Sequence, residues 1–248
     1  MDFLDFLYNV GSAVETLPAK LRELIIPHKS DRPPEFSFLR RFVKKELTVN
    51  EFLSLRLQVV FLVYLIVSLF LVILNLHPIF LALAFILELG AERYTLVRYG
   101  HFLLDPEPYR FFYYGISVVS FASFLGYEIL RRSMVRIEYY MVYVVLVLVV
   151  VLLFRWYFKQ RYGRDYTYGI IEEVKNDLVK VFVHDDIAAN IKPGYYWVEK
   201  VPDAEPGRVV KLLLEDRKLR GAVPLRILEV YLEFQSSQTS SEPKKASE

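Results

Sequence analysis

Two carboxylates, Glu88 and Glu92, stand four residues apart at the end of a long apolar run, with Arg93 beside them. Residues at that spacing share one face of a helix. If the helix crosses a bilayer, the face must turn away from lipid, because an ionisable side chain in hydrocarbon is costly unless protein, water or a counter-charge receives it. Such a pair can take up a proton or a cation, or serve as a conformational switch. Alternatively the helix is short or tilted, and the pair belongs to its cytoplasmic mouth and meets Arg93 or Arg98. Glu88, Glu92 and Arg93 are the intramembrane polar residues on which a specific activity can be tested.

Other polar groupings carry less. His184, Asp185 and Asp186 have the residue types of a metal fragment, yet three polar residues leaving a strand make an ordinary turn. The four histidines, at 28, 77, 101 and 184, have no ligand spacing around them, and no metal site is expected. His101, Asp105 and Glu107 fall in a loop stiffened by Pro106 and Pro108 and read as solvated. Tyr195, Tyr196 and Trp197 could form a stacking platform on a β-domain surface. In a strand, however, alternate side chains face the core, so at least one of the three is structural. There is no Gly-rich phosphate loop, dinucleotide fingerprint or His-Glu-x-x-His pattern. With no Cys, a disulfide framework, a thiolate zinc site and a cysteine nucleophile are excluded. No catalytic residue and no cofactor is expected. A net charge of +2 provides no bulk field for nucleic acid, which is not expected as a partner.

The elements that must position these residues follow from how charge is distributed. Of the 248 residues 54% are hydrophobic and 24% charged, but only 13 charged residues lie between Leu57 and Phe158, and no Lys occurs from Glu46 to Phe158. That block reads as membrane. Few thermolabile residues and many ion-pairing ones lean toward a heat-adapted source. The 31 uncharged positions between Arg56 and Glu88 exceed one crossing of a hydrocarbon layer about 30 Å thick, so two helices share them. Asn75, Leu76, His77 and Pro78 mark the break. Four helices are expected, at about 57–74, 78–97, 111–130 and 139–158, within a transmembrane region spanning 48–160. Thr48 and Glu51 form a capping-box pattern that starts the first helix near Thr48. Aromatic residues rim the third and fourth segments in the manner of an interfacial belt. In the third segment, which carries Gly115 and several serines, Ala122 and Gly126 are four apart and could let another helix approach closely; alternatively these small residues are merely tolerated.

Four crossings with both termini cytoplasmic put twelve Lys and Arg on the inside flanks and only Arg131, Arg132 and Arg136 outside. Those three arginines sit awkwardly with the positive-inside tendency, and Glu128 and Glu138 are placed to neutralise part of them. Before the membrane, residues 1–47 carry an amphipathic stripe from Phe3 to Leu24, broken by Gly11 and Pro18. An aromatic-basic stretch with Arg40, Arg41, Lys44 and Lys45 follows and reads as an interfacial helix on anionic headgroups. Arg155, Lys159, Arg161 and Arg164 are assigned to headgroups at the other end. After Gly163 the pattern changes to period two, and five strands in 165–233 predict a small antiparallel β-barrel of the OB or SH3-like type, or a sheet of similar size. Asp185 to Ile191 could be a single helical turn across it. Residues 235–248 are Ser-rich and read as a disordered tail.

The fold class is therefore an α+β membrane protein, a four-helix bundle followed by a cytoplasmic β domain. This order of parts, with Asn190, Ile191, Lys192, Pro193, Gly194 and Tyr195 in the β domain, resembles an uncharacterised family of archaeal polytopic membrane proteins of unknown function. The resemblance implies a multi-pass protein of the cell membrane and no site residue. The expected role is non-enzymatic: a scaffold whose β domain docks an unknown protein or supports a homo-oligomer. The alternative is a small oligomeric channel or transporter using Glu88 and Glu92.

Overall fold

The computed structural model describes residues 27–30, 48–133, 136–217 and 221–231. The helices expected in 1–47, the headgroup contacts assigned to Arg40, Arg41, Lys44 and Lys45, and the tail at 235–248 lie outside the described residues. The chain divides into two compact units, Met1–Gly163 and Arg164–Glu248.

The first unit holds four helices: α1 (Val49–Ile73), α2 (Ile79–Tyr99), α3 (Pro106–Arg132) and α4 (Ile137–Tyr162), with a 3-10 turn at Gly100–Phe102. They outrun the uncharged segments, and two of them, α1 and α3, start on side-chain caps. At the start of α1 the capping box forms: the Glu51 amide donates to Thr48 Oγ1 at 3.4 Å, and the Thr48 amide donates to Glu51 Oε2 at 2.9 Å. At its end Asn75 takes φ 55°, a left-handed conformation that Asn tolerates better than a bulky residue, and the chain reverses into α2. Asp105 caps α3 by accepting from the Glu107 amide at 3.2 Å, with Pro106 at the first helical position.

Helices α1, α2 and α3 pack against one another, and α4 lies along α3. Two glycines allow that second contact. A Cβ on Gly115 would stand 2.4 Å from the Phe154 ring, and one on Gly126 would stand 2.6 Å from the Tyr143 hydroxyl, so each glycine seats an aromatic side chain of α4. Among the described residues, α1, α3 and α4 are long and apolar enough to cross a membrane. Glu88, Glu92 and Arg93 set α2 apart.

The second unit is a five-stranded antiparallel sheet of β1 (Tyr166–Lys175), β2 (Leu178–Val183), β3 (Gly194–Glu199), β4 (Val209–Arg217) and β5 (Gly221–Tyr231), in the order β3-β2-β1-β4-β5. One face buries Ile171, Val179, Val181, Val183, Val198, Val210 and Leu212. The barrel expected from the strand count is corrected here: the sheet is open, because β3 and β5 are edges that do not pair. The connection from β2 to β3 takes the partner β5 would need for closure, since the Ala222 amide donates to Asn190 O at 2.8 Å. Nor is that connection a helical turn. Asp186 bridges to Ile191 across it, and Asn190 rounds the corner at φ 52°.

Asp186 is the clip that holds this connection. It is 1% exposed. Its Oδ1 accepts from the Ala188 and Ala189 amides at 3.1 and 3.2 Å, and its Oδ2 accepts from Thr167 Oγ1 and Arg164 Nη2, both at 2.8 Å. The carboxylate offered by sequence as part of a metal fragment is thus engaged by four donors. Removing one partner of a buried, charge-assisted network costs several kcal/mol. The Asp186→Ala chain should lose about 3 kcal/mol of stability in this unit. Hydrogen exchange of the sheet amides in the full-length chain should then speed up roughly a hundredfold while the helices are unchanged; unchanged sheet exchange would show that the clip contributes nothing.

Candidate functional site

Buried charge occurs at two levels of the helical unit, and the two differ in kind. Near the Asn75 turn, Glu128 of α3 is buried and ion-paired. Arg131 Nη2 and Arg132 Nε reach it at 2.7 and 2.9 Å. Arg131 also donates to Val72 O at 2.7 Å and Asn75 Oδ1 at 2.5 Å, so it satisfies a terminal carbonyl of α1 and ties the turn to α3. Two of the three arginines that sat awkwardly in the sequence are therefore paired with a carboxylate.

The second level lies about halfway along α2, where Glu88 is roughly 14 Å from the helix start. Glu88 is 4% and Glu92 0% exposed. Ser117 of α3, itself fully buried, donates its hydroxyl to Glu88 Oε1 and also neighbours the Glu92 carboxyl. Beyond that bond the Glu88 and Glu92 carboxyls adjoin one another, and no basic side chain pairs with either among the described residues. The expected alternative, pairing with Arg93 or Arg98, is not what the geometry shows. Arg93 is exposed on the outer surface of α2, and the Arg98 guanidinium lies 5.5 Å from the Tyr94 ring centre and 5.7 Å from that of Tyr99.

Helix α1 brings a tyrosine to this level. Tyr64 and Ser68 are four residues apart and buried, and the Tyr64 hydroxyl adjoins Ser68 and neighbours Glu88. No further group among the described residues satisfies either hydroxyl. One turn from Glu88 toward the Asn75 end, the Phe85 ring stacks on Phe121 at 4.5 Å and meets Tyr64 at 6.3 Å. This aromatic layer separates the Glu88 and Glu92 carboxyls from the Glu128 cluster. Sequence reasoning named Glu88 and Glu92 but missed Tyr64, Ser68 and Ser117. The signal was present: Tyr64 and Ser68 are polar residues at helical spacing in an uncharged apolar run, and Ser117 lies among the small residues of the third segment.

The remaining sequence-named residues do not join this site. Arg155, Lys159 and Arg161 lie exposed on the last turns of α4, with Arg161 5.4 Å from the Tyr162 ring centre. Arg164 is committed to Asp186. On β3 the trio alternates as a strand requires: Tyr195 and Trp197 are each 48% exposed, whereas Tyr196 packs against the sheet core and donates to Lys192 O at 2.9 Å. Burial raises the pKa of the Tyr196 hydroxyl. Tyr195 sits 5.0 Å from Phe182 and beneath Lys180, and Lys180 in turn pairs with Glu172.

A helical unit with three helices of crossing length, joined to a β unit, defines a membrane protein. A family model described as "Predicted membrane protein (DUF2101)" matches residues 21–228, and the chain belongs to that family. No curated protein and no solved structure matches the chain.

The paired level yields a prediction. Arg131→Ala removes a cap and half of a buried ion-pair cluster, so it should lower the thermal midpoint of helix loss by several degrees, at about 2–4 °C per kcal/mol. Exposed Arg136→Ala should leave it within a degree or so, as expected of surface substitutions. Circular dichroism of the full chain in detergent reads both, and equal midpoints for the two variants would contradict the clamp.

Proposed function

We propose that this chain is an ion-linked, multi-pass protein of the cell membrane in which Glu88 and Glu92 accept a proton or cation during transport. The observation that carries the reading is a pair of adjoining carboxyl groups buried at mid-helix with no basic side chain paired to either among the described residues. A purely structural role is poorly served by such a pair, since each buried carboxyl costs stability that an apolar side chain would not. In membrane helices, inward-facing carboxyls without counter-charges mark ion or proton paths. Four helices make a poor pore alone, so the reading takes the chain as a carrier, or as one subunit of a ring.

The same reading takes all four helices as crossings, with both termini cytoplasmic. The Lys and Arg distribution supports it, and the pairing of Arg131 and Arg132 with Glu128 removes much of the awkward positive charge from the outer side. Exposed Arg155, Lys159 and Arg161 fit contact with anionic headgroups. A heat-adapted source is proposed from composition, and an archaeal one from the resemblance stated above. A second, non-enzymatic reading, a scaffold docking an unknown protein or a second copy, is supported by the exposed Tyr195 and Trp197. Aromatic residues of this kind anchor interfaces.

Full-length chain in sealed vesicles tests the transport reading. Under an imposed proton or sodium gradient, flux should exceed that of empty vesicles, and the Glu88→Gln, Glu92→Gln double variant should lower it by at least about tenfold, as expected when an essential carboxyl is lost. Equal flux from the double variant and the parent, or parent flux no higher than empty vesicles, removes the reading.

A further inference from the structure

We infer that Arg93 of α2 and Arg110 of α3, beside the Tyr114 hydroxyl, form a site for the phosphate of one anionic phospholipid at the membrane surface. The inference goes beyond the transport reading and needs only that α2 and α3 both lie in the bilayer. Three observations bring these residues together. Arg110, Tyr114 and Ser117 recur at spacings of four and three, so they share one stripe of α3. Ser117 meets Glu88, which makes that stripe the side of α3 turned to α2 and fixes the register of the two helices. From that bond toward the turn joining α2 to α3, Tyr114 stands about 5 Å, Arg93 about 8 Å and Arg110 about 10 Å along its helix. The Tyr114 hydroxyl accordingly has both guanidinium groups as neighbours, one from each helix.

Two like charges drawn to one hydroxyl repel unless they share an anion. Neither arginine is ion-paired among the described residues. The carboxyls nearby are engaged elsewhere: Glu92, which also neighbours Tyr114, is fully buried and adjoins Glu88, Asp105 caps α3, and Glu107 accepts from Tyr162 Oη at 3.0 Å. Both arginines are exposed. On a helix in the bilayer that exposure is to lipid, where a guanidinium is costly unless it reaches the headgroups. Their level suits that reach, because Arg110 immediately precedes the uncharged run that starts at Phe111. Toward mid-bilayer the same stripes turn apolar and stay exposed, at Val118, four residues past Tyr114, and at Ile86, two turns before Arg93. Guanidinium groups bind phosphate through paired N–H donors, and basic groups between the ends of membrane helices collect anionic headgroups. Two such forks above an apolar surface match a phosphodiester above its acyl chains, whereas free phosphate would gain nothing from Ile86 and Val118.

The test is equilibrium binding of radiolabelled phosphatidylglycerol to the full chain in detergent, with phosphatidylcholine and inorganic phosphate as competitors. One tightly held lipid per chain is expected, displaced by neither competitor at equal concentration. Arg93→Gln and Arg110→Gln should each weaken binding by at least about tenfold, roughly 1.4 kcal/mol. Arg136→Gln, which removes an exposed arginine at the start of α4, should leave it within about twofold. Circular dichroism confirms that each variant is folded. Equal affinity of the parent and both site variants, an equal loss in Arg136→Gln, or displacement by either competitor overturns the inference. Proton or sodium flux with no lipid bound overturns it and leaves the transport reading standing; lipid bound without any flux does the reverse.

Discussion

Everything in the helical unit turns on the cost of placing carboxyl groups where water does not reach. A charge taken from water into a medium of low dielectric loses solvation that only a counter-charge, a set of donors or a bound ion can replace. Glu128 and Glu88 lie in the same unit and meet that cost in opposite ways. Glu128 is surrounded by its own helix's Arg131 and Arg132, so its charge is spent on architecture. Glu88 and Glu92 receive a hydroxyl from Ser117 and otherwise adjoin one another, with Tyr64 of α1 beside Glu88. That asymmetry separates a carboxylate committed to ion pairs from a pair that has none.

The rest of the unit can be understood as the means of keeping that difference. Arg131 joins the end of α1 to α3 and so fixes the depth at which Tyr64 and Ser68 stand opposite α2. Phe85 and Phe121 stack across the α2–α3 contact and seal the carboxyls from the paired cluster. Gly115 and Gly126 let the large rings of α4 settle on the far side of α3, which leaves the inward face of α3, with Ser117, free to meet α2. In the second unit Asp186 applies the same chemistry to a different end: four donors satisfy it, and the connection it pins lies beside β5, where a fifth strand pairing would have closed a barrel.

What could be read from the chain was local. The Thr48 and Glu51 box, the Asn75 reversal, the four apolar runs and the shared face of Glu88 and Glu92 depend on neighbours within a few residues. The rest was set by partners far along the chain. Ser117 lies 29 residues from Glu88, and Arg131 lies 59 from Val72, so no periodicity reports either contact. Five alternating strands fitted a barrel and an open sheet equally well; the choice was made by one amide, that of Ala222, donating to a loop carbonyl. Tyr64 and Ser68 were legible as polar residues in an apolar helix, but their meaning came only from the helix opposite.

The most direct measurement concerns whether the carboxyl pair is sealed within the three helices. Because the chain has no Cys, single cysteines can be placed at will. In vesicles holding the full-length chain, a charged, water-soluble thiol reagent should label His101→Cys, an exposed position in the turn after α2, and leave Glu88→Cys and Glu92→Cys unlabelled until detergent unfolds the bundle. Labelling of Glu88→Cys and Glu92→Cys as fast as His101→Cys in intact vesicles would contradict the account, placing the pair in open water rather than within the three helices.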